Sequence, residues 1–267
     1  MSDSAALSRL RLVRQGPVTR VILARPEVRN AFDDGLIAEL TRVFFDFSTD
    51  TETRVVILSG DGPTFCAGAD VQWMRRAGAY SREENELDAG KMARMLRAID
   101  ACPLPVIALA HGAAIGGGVG LVAAADIAIA AEGTVFSLAE VKLGILPAVI
   151  SPYVLRAIGS RQARDLFLTG DRFDAAEAFR IGLVHQVVAP GELEAAASRR
   201  VASLASSAPE AIRAAKKLIE QVTGLGPEEA MPLTVRTIAE RRASDEAREG
   251  LSAFLEKRRP SWVKVKS

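Results

Sequence analysis

PVIALAHGAAIGGGVGLVAAADIAIA, residues 105–130, is the stretch on which the fold turns. Its first six residues are apolar and partly β-branched, which predicts a strand over 105–110. The turn Ile115-Gly116-Gly117-Gly118-Val119-Gly120 follows and opens an apolar helix, and 126–130 predicts a further strand. Ala101 to Ala125 contains no Asp, Glu, Lys or Arg, so the segment passes a crude test for a membrane span. Its make-up argues against one. Gly and Ala dominate over Leu, and Pro103, Pro105, His111 and the glycine triplet would interrupt a single continuous helix. A buried strand, a glycine turn and a buried helix fit better.

Working outward, residues 18–24 (VTRVILA) and 54–59 (RVVILS) predict two more strands. Residues 33–47 place Leu36, Ile37, Leu40, Val43 and Phe44 at helical spacing, with Asp33 as N-cap. Strands alternating with helices predict crossover units and an α/β layer structure. The strand signal ends near residue 190. Beyond it, 209–223, 227–242 and 244–258 predict helices, the last capped by Ser244 and stopped by Pro260. The expected organisation is an α/β core over 1–190 and a helical region over 191–267.

Composition narrows the function. Hydrophobic residues at 49% and charged residues at 25% are ordinary for a globular chain, and 267 residues suffice for a large core without staples. With 34 basic against 33 acidic residues there is no basic excess for nucleic acid or for an anionic membrane surface. Two cysteines (Cys66, Cys102) and two histidines (His111, His185) lack metal-ligand spacing, so no metal is expected. The first residues, MSDSAALSRLRLVRQ, have no apolar segment of signal-peptide length, and a cytoplasmic location is expected.

Two glycine-bearing turns carry the chemistry: Phe65-Cys66-Ala67-Gly68-Ala69-Asp70, and the turn at 115–120. Small residues let backbone approach a bound group closely, and a helix N-terminus presents unpaired N–H donors. Brought together, two such turns would aim two amides at one developing oxyanion. Neither matches a dinucleotide fingerprint or a P-loop, and bare glycine turns are most often structural.

The order and spacing of ARPEVRNAF (24–32), TFCAGADVQWM (64–74), AHGAAIGGGVGL (110–121), DIAIAAEGTVFSLAEVKLGILP (126–147), LTGDRFDAAEAFRIGLVHQVV (168–188) and EGLSAFLEKRR (249–259) resemble the crotonase, or enoyl-CoA hydratase/isomerase, superfamily over nearly the whole chain. The resemblance implies a ββα spiral core, a helical C-terminal trimerisation region, and trimers often paired into hexamers. It implies an acyl-CoA substrate with no separate cofactor. Ala69 and Gly117 match the two amides of the thioester oxyanion hole. Val28, Arg29, Ala67 and Ala69 through Gln72 (Asp70 and Val71 between them) match CoA-contacting positions. Phe254 and Lys257 match positions that help hold the adenine end, often across a subunit boundary; simple core packing is the alternative for Phe254. Glu140 matches the second of two family glutamates, the general base.

Two departures stand out. The first family glutamate falls on Gly120, and PAVISPYV (147–154) replaces a glycine-rich turn. Together they resemble the branch containing methylglutaconyl-CoA and isohexenylglutaconyl-CoA hydratases. Such substrates carry their own carboxylate, for which Arg75, Arg76 and Lys142 are candidate partners, a solvated surface charge being the alternative for each. Trp73, Met74 and Gly120 are assigned to the acyl pocket, with core packing as the alternative for Trp73 and Met74. Residues 75–92 read as a flap over it or as a charged surface helix. Asp126 is rotated about 240° from residue 120 and does not replace the lost carboxylate. The expected activity is hydration of a 2-enoyl-CoA; an isomerase or decarboxylase, or a non-catalytic CoA-ester or RNA binder, are the alternatives.

Overall fold

The structure, a computed structural model, describes residues 7–263. Nine strands occur among them: β1 (Leu10–Gln15), β2 (Val18–Leu23), β3 (Val55–Gly60), β4 (Val106–Ala110), β5 (Ala113–Ile115), β6 (Ile127–Ala131), β7 (Val135–Ser137), β8 (Arg172–Asp174) and β9 (Gln186–Val188). The helices are α1 (Asp34–Asp46), α2 (Val71–Ala77), α3 (Arg82–Asp100), α4 (Gly117–Ala124), α5 (Ser151–Thr169), α6 (Ala175–Arg180), α7 (Leu193–Ser206), α8 (Pro209–Val222), α9 (Pro227–Arg242) and α10 (Asp245–Leu255). Asp33 caps α1 by accepting from Leu36 N.

The main sheet has six strands in the order β1-β2-β3-β4-β6-β9. Only β1 runs antiparallel to its neighbour; the rest are parallel and joined by crossovers. Side chains alternate strictly across it. Val56, Leu58, Val106, Ala108 and Ala130 face the large core against α1, α3 and α4. Val55, Ile57, Ile107, Leu109 and Ile129 face the other way, against Ala196 and Ala197 of α7. Both faces are therefore covered, which is why these strands read as continuous apolar runs. A boundary at residue 190 would divide α7 from the sheet it covers. By contrast, α8 and α9 have no fully buried side chain, and α10 has only Ala253.

The second sheet, β5-β7-β8, is small and places the glycine turns. Cys66 bridges to Ala114 of β5, with Cys66 N donating to Ala113 O and Ile115 N to Cys66 O. Phe32 bridges to Ala69. The turn at 65–70 is thus stitched to β5, and so to the start of α4.

Several elements differ from the sequence reading. β1 carries only one buried side chain, Leu10, so its alternation is a weak signal. Residues 75–92 form parts of α2 and α3, with a full capping box between Ser81 and Glu84. The last helix ends at Leu255, three residues short of the predicted 258: Lys257 adopts φ 56, and Arg258 N donates to Ala253 O in a left-handed cap.

Candidate active site

The two glycine turns line one cavity of about 410 Å³, which Ala67, Gly68, Ala69, Gly116, Gly117 and Glu140 all border. Each turn needs its glycine. Gly68 has φ +87, and a Cβ there would meet Ile115 O at 2.9 Å. Gly116 has φ +51, and a Cβ there would meet Glu140 Oε1 at 2.8 Å. Gly117 is the first residue of α4, so its N–H has no intrahelical acceptor. The extended segment at Ala69 is bracketed by bonds to Phe32, which accepts from Asp70 N and donates to Gly68 O. Neither Ala69 N nor Gly117 N donates to a protein acceptor among the described residues. Two free amides on one cavity, one of them at the positive end of a helix, suit an oxygen on which negative charge develops.

Glu140 lies in a short 3-10 helix, Ala139–Leu143, closed by Gly144 in the left-handed region. Its Oε2 is buried and has no hydrogen-bond partner among the described residues. Burial pushes its pKa above the ordinary carboxylate value, partly offset by its own backbone N–H. A desolvated carboxylate with an unpartnered oxygen, on the cavity that both amides border, suits proton transfer.

The comparisons agree with this geometry. Residues 14–265 match the family model described as enoyl-CoA hydratase/isomerase. An enoyl-CoA hydratase of Shewanella pealeana superposes with a TM-score of 0.93 at 40% identity, covering 96% of each chain. The short-chain-enoyl-CoA hydratase of Clostridium acetobutylicum is 31% identical over 95% of this chain and 97% of its own. The mevalonyl-coenzyme A hydratase of Aspergillus fumigatus is 32% identical over 90% of this chain and 89% of its own. The chain belongs to the enoyl-CoA hydratase/isomerase family.

As a crotonase it departs from the two-glutamate pattern, and the structure gives the physical reason. A Cβ at Gly120 would lie 2.4 Å from Ile150 Cγ2 and 3.6 Å from Leu96 Cδ2. Ile150 belongs to PAVISPYV, so the two sequence departures are one contact: Ile150 fills the space next to residue 120. The assignment of Gly120 to the acyl pocket is corrected accordingly. Ile150 borders the cavity and Gly120 does not.

Trp73 and Met74 do line the cavity, together with an apolar wall of Leu143, Ile145, Leu146 and Val149. The candidate cations do not. Arg76 pairs with Asp34 at 2.8 Å and Lys142 with Asp171 at 3.2 Å, while Arg75 is exposed and away from the lining. No Lys or Arg borders the cavity among the described residues.

Of the CoA-contacting positions, Ala67 and Ala69 border the cavity, while exposed Val28, Arg29, Val71 and Gln72 lie outside it. Asp70 is committed locally: it caps α2 by accepting from Gln72 N and takes a 3.0 Å ion pair from Arg25. Phe254 is 80% exposed, which rules out core packing within its own chain, and Lys257 is exposed beside it.

The remaining polar residues read from the sequence are structural. His111 Nε2 bonds Gly62 O, and His185 Nδ1 accepts from Ala128 N. Cys66 is fully buried, and burial pushes its thiol up to about 12, so it is no thiolate nucleophile. No group of three His, Cys, Asp or Glu side chains able to hold a metal occurs among the described residues. No helix there is long and apolar enough to cross a membrane.

The sequence reading placed 75–92 over the acyl pocket but singled out no residue of α3 there. Asn85, Asp88, Ala89 and Met92 border the cavity at helical spacing. That spacing was present in the sequence, but the flanking charges masked it.

Proposed function

We propose that the protein is a hydro-lyase that adds water across the double bond of a 2-enoyl-CoA thioester. The Ala69 and Gly117 amides hold the thioester oxygen as it becomes an enolate oxygen. Glu140 accepts a proton from the water that attacks C3, and in reverse protonates the departing hydroxyl. The observation that carries this reading is Glu140: a desolvated carboxylate with a free Oε2, set against Gly116 in the cavity that both amides border.

The acyl group we infer is short and branched, in the class of methylglutaconyl-CoA and related thioesters. The apolar wall and a relative that is a mevalonyl-coenzyme A hydratase, whose acyl group is methyl-branched, support a branched chain. With no Lys or Arg on the lining, a second carboxylate on the substrate would remain at the cavity mouth. The one-glutamate pattern created by Gly120 and Ile150 favours a second reading, an isomerase or decarboxylase acting through the same enolate.

We infer assembly as a trimer or a pair of trimers. Exposed apolar side chains on α9 and α10 support it: Met231, Val235, Ile238, Leu251, Phe254 and Leu255. In such an assembly Phe254 and Lys257 would serve a neighbour's CoA. Light scattering of the purified protein gives the oligomer.

The function is tested by assaying crotonyl-CoA, 3-methylcrotonyl-CoA and 3-methylglutaconyl-CoA with product analysis, for the parent and for Glu140→Gln. Hydration lost in the variant is expected. Hydration within a few-fold of the parent removes Glu140 from its role, and double-bond migration without water uptake favours the isomerase.

A further inference from the structure

Glu140 is not the only carboxylate on the cavity. Asp88, on α3, also borders it and is 8% exposed. Its position follows from how α3 lies along α4. Leu96 Cδ2 comes within 3.6 Å of the Cβ site of Gly120, and Met92 Cε within 2.7 Å of that of Gly117. The two helices therefore run side by side in the same direction. Asp88 precedes Met92 by four residues, about one turn or 6 Å. The stripe Leu96–Met92–Asp88 thus follows α4 to its first residue and then passes beyond it. Asp88 stands in front of the end of α4 from which the Gly117 amide projects.

Its surroundings are not those of a structural carboxylate. The other buried aspartate, Asp70, is paired with Arg25, and the more exposed Asp126 is paired with Lys216. Asp88 forms no ion pair among the described residues. Arg76 of α2 pairs with Asp34 of α1 at 2.8 Å, and both it and Lys91 on α3 act on Asp88 only at longer range. The indole N–H of Trp73, on α2, is buried without a hydrogen bond of good geometry, yet it lies near enough to favour the ionised form of Asp88. Glu140 borders the same cavity.

We propose that Asp88 is the second acid–base group of this site, replacing from α3 the carboxylate that Gly120 lacks. The proposal rests on the hydratase reading. Water loses a proton to Glu140 as its oxygen bonds to C3. The C2–C3 π pair moves toward the thioester oxygen, held by the two amides. The enolate then collapses and C2 takes the proton from Asp88. Glu140 ends protonated and Asp88 ionised, and proton exchange through solvent restores both, so the net change is addition of one water. Burial, with the Asp34 charge, holds the Asp88 pKa above the ordinary carboxylate value, which favours the protonated form that the step needs.

The test is hydration of crotonyl-CoA and 3-methylcrotonyl-CoA across pH by the parent, Asp88→Asn, Asp88→Glu and Glu140→Gln. Asparagine keeps the shape and the acceptor for Trp73 but cannot deliver a proton. Asp88→Asn is expected to lower kcat by about 10²–10⁴-fold, leave KM within a few-fold, and abolish the alkaline limb of the profile. Asp88→Glu is expected to recover part of kcat and keep the limb. Parental kcat in Asp88→Asn overturns the proposal. So does a lowered kcat that retains the parental alkaline limb, which would mark Asp88 as structural. If Asp88→Asn does not fold, a parent profile without an alkaline limb overturns it equally. A parent inactive on both thioesters, by contrast, overturns the hydratase reading itself and the proposal with it.

Discussion

Asp126 and Glu140 are both carboxylates whose pKa is raised by partial burial. They are otherwise opposites. Asp126 Oδ2 accepts from Val106 N at 2.8 Å and from Lys216 Nζ at 2.6 Å, tying β4, the start of β6 and α8 together. Glu140 leaves Oε2 without any partner and borders the cavity. A carboxylate buried for structure is satisfied on the spot; one buried for chemistry keeps a lone pair in reserve. The same contrast separates two of the three glycines of α4. Gly117 opens to the cavity, while Gly120, one turn later, is closed off by Ile150.

The largest effect is expected where the two carboxylates are exchanged in role. Glu140→Gln should lower kcat by about 10²–10⁴-fold with little change in thermal stability. Asp126→Asn should do the reverse, lowering the melting temperature while kcat stays within a few-fold. Steady-state kinetics and a thermal melt on each variant break the comparison if the effects are interchanged.

Lys216→Met leaves Asp126 partly buried and without its ion-pair partner. Both side chains keep some solvent contact, 18% for Lys216 and 29% for Asp126, so the cost should fall below that of a fully buried pair, at about 2 kcal/mol. The pH dependence has a definite sign. The folded pKa of Asp126 already lies above its unfolded value, and losing Lys216 raises it further. The variant should therefore lose stability as pH rises from the unfolded toward the folded pKa. Urea titrations at acidic and neutral pH should show the larger deficit at neutral pH.

These contrasts also mark what the sequence discloses. The strands of the main sheet were legible because helices cover both faces, leaving uninterrupted apolar runs such as VVIL at 55–58. The alternation of β1 was lost because only Leu10 is buried, and the three-residue strands of the small sheet are too short to show a period. At the site, the glycine turns and Glu140 were legible as a spaced pattern. That Gly120 and Ile150 touch was not, since they lie on separate elements and no local rule joins them. Asp88 sat in plain view among the charges of 82–91. Its neighbours point to water, and only the packing of α3 along α4 turns it inward.

A smaller effect tests the Gly120–Ile150 contact. Gly120→Ala should destabilise by about 1–2 kcal/mol, because its Cβ would meet Ile150 Cγ2 at 2.4 Å. Adding Ile150→Ala should cost less than the sum of the two single changes, a coupling that a double-mutant cycle reads directly. Additivity would mean that the contact does not govern residue 120. Smallest of all is the acid limb of the parent's pH profile. Glu140 must be ionised to accept a proton, and its pKa is raised, so kcat should begin to fall with decreasing pH above the range of an ordinary glutamate.

The convergence of the Ala69 and Gly117 amides on one acyl oxygen is best tested without substitution. A Cβ at residue 117 would meet Met92 Cε at 2.7 Å and Phe32 Cε2 at 2.8 Å, so a variant disturbs more than the amide. A crystal structure with 3-hydroxybutyryl-CoA bound reads the geometry itself. The account predicts the thioester oxygen within about 2.7–3.1 Å of both Ala69 N and Gly117 N, with Glu140 facing C3. A thioester oxygen held by neither amide, or by side chains elsewhere on the cavity, would contradict it.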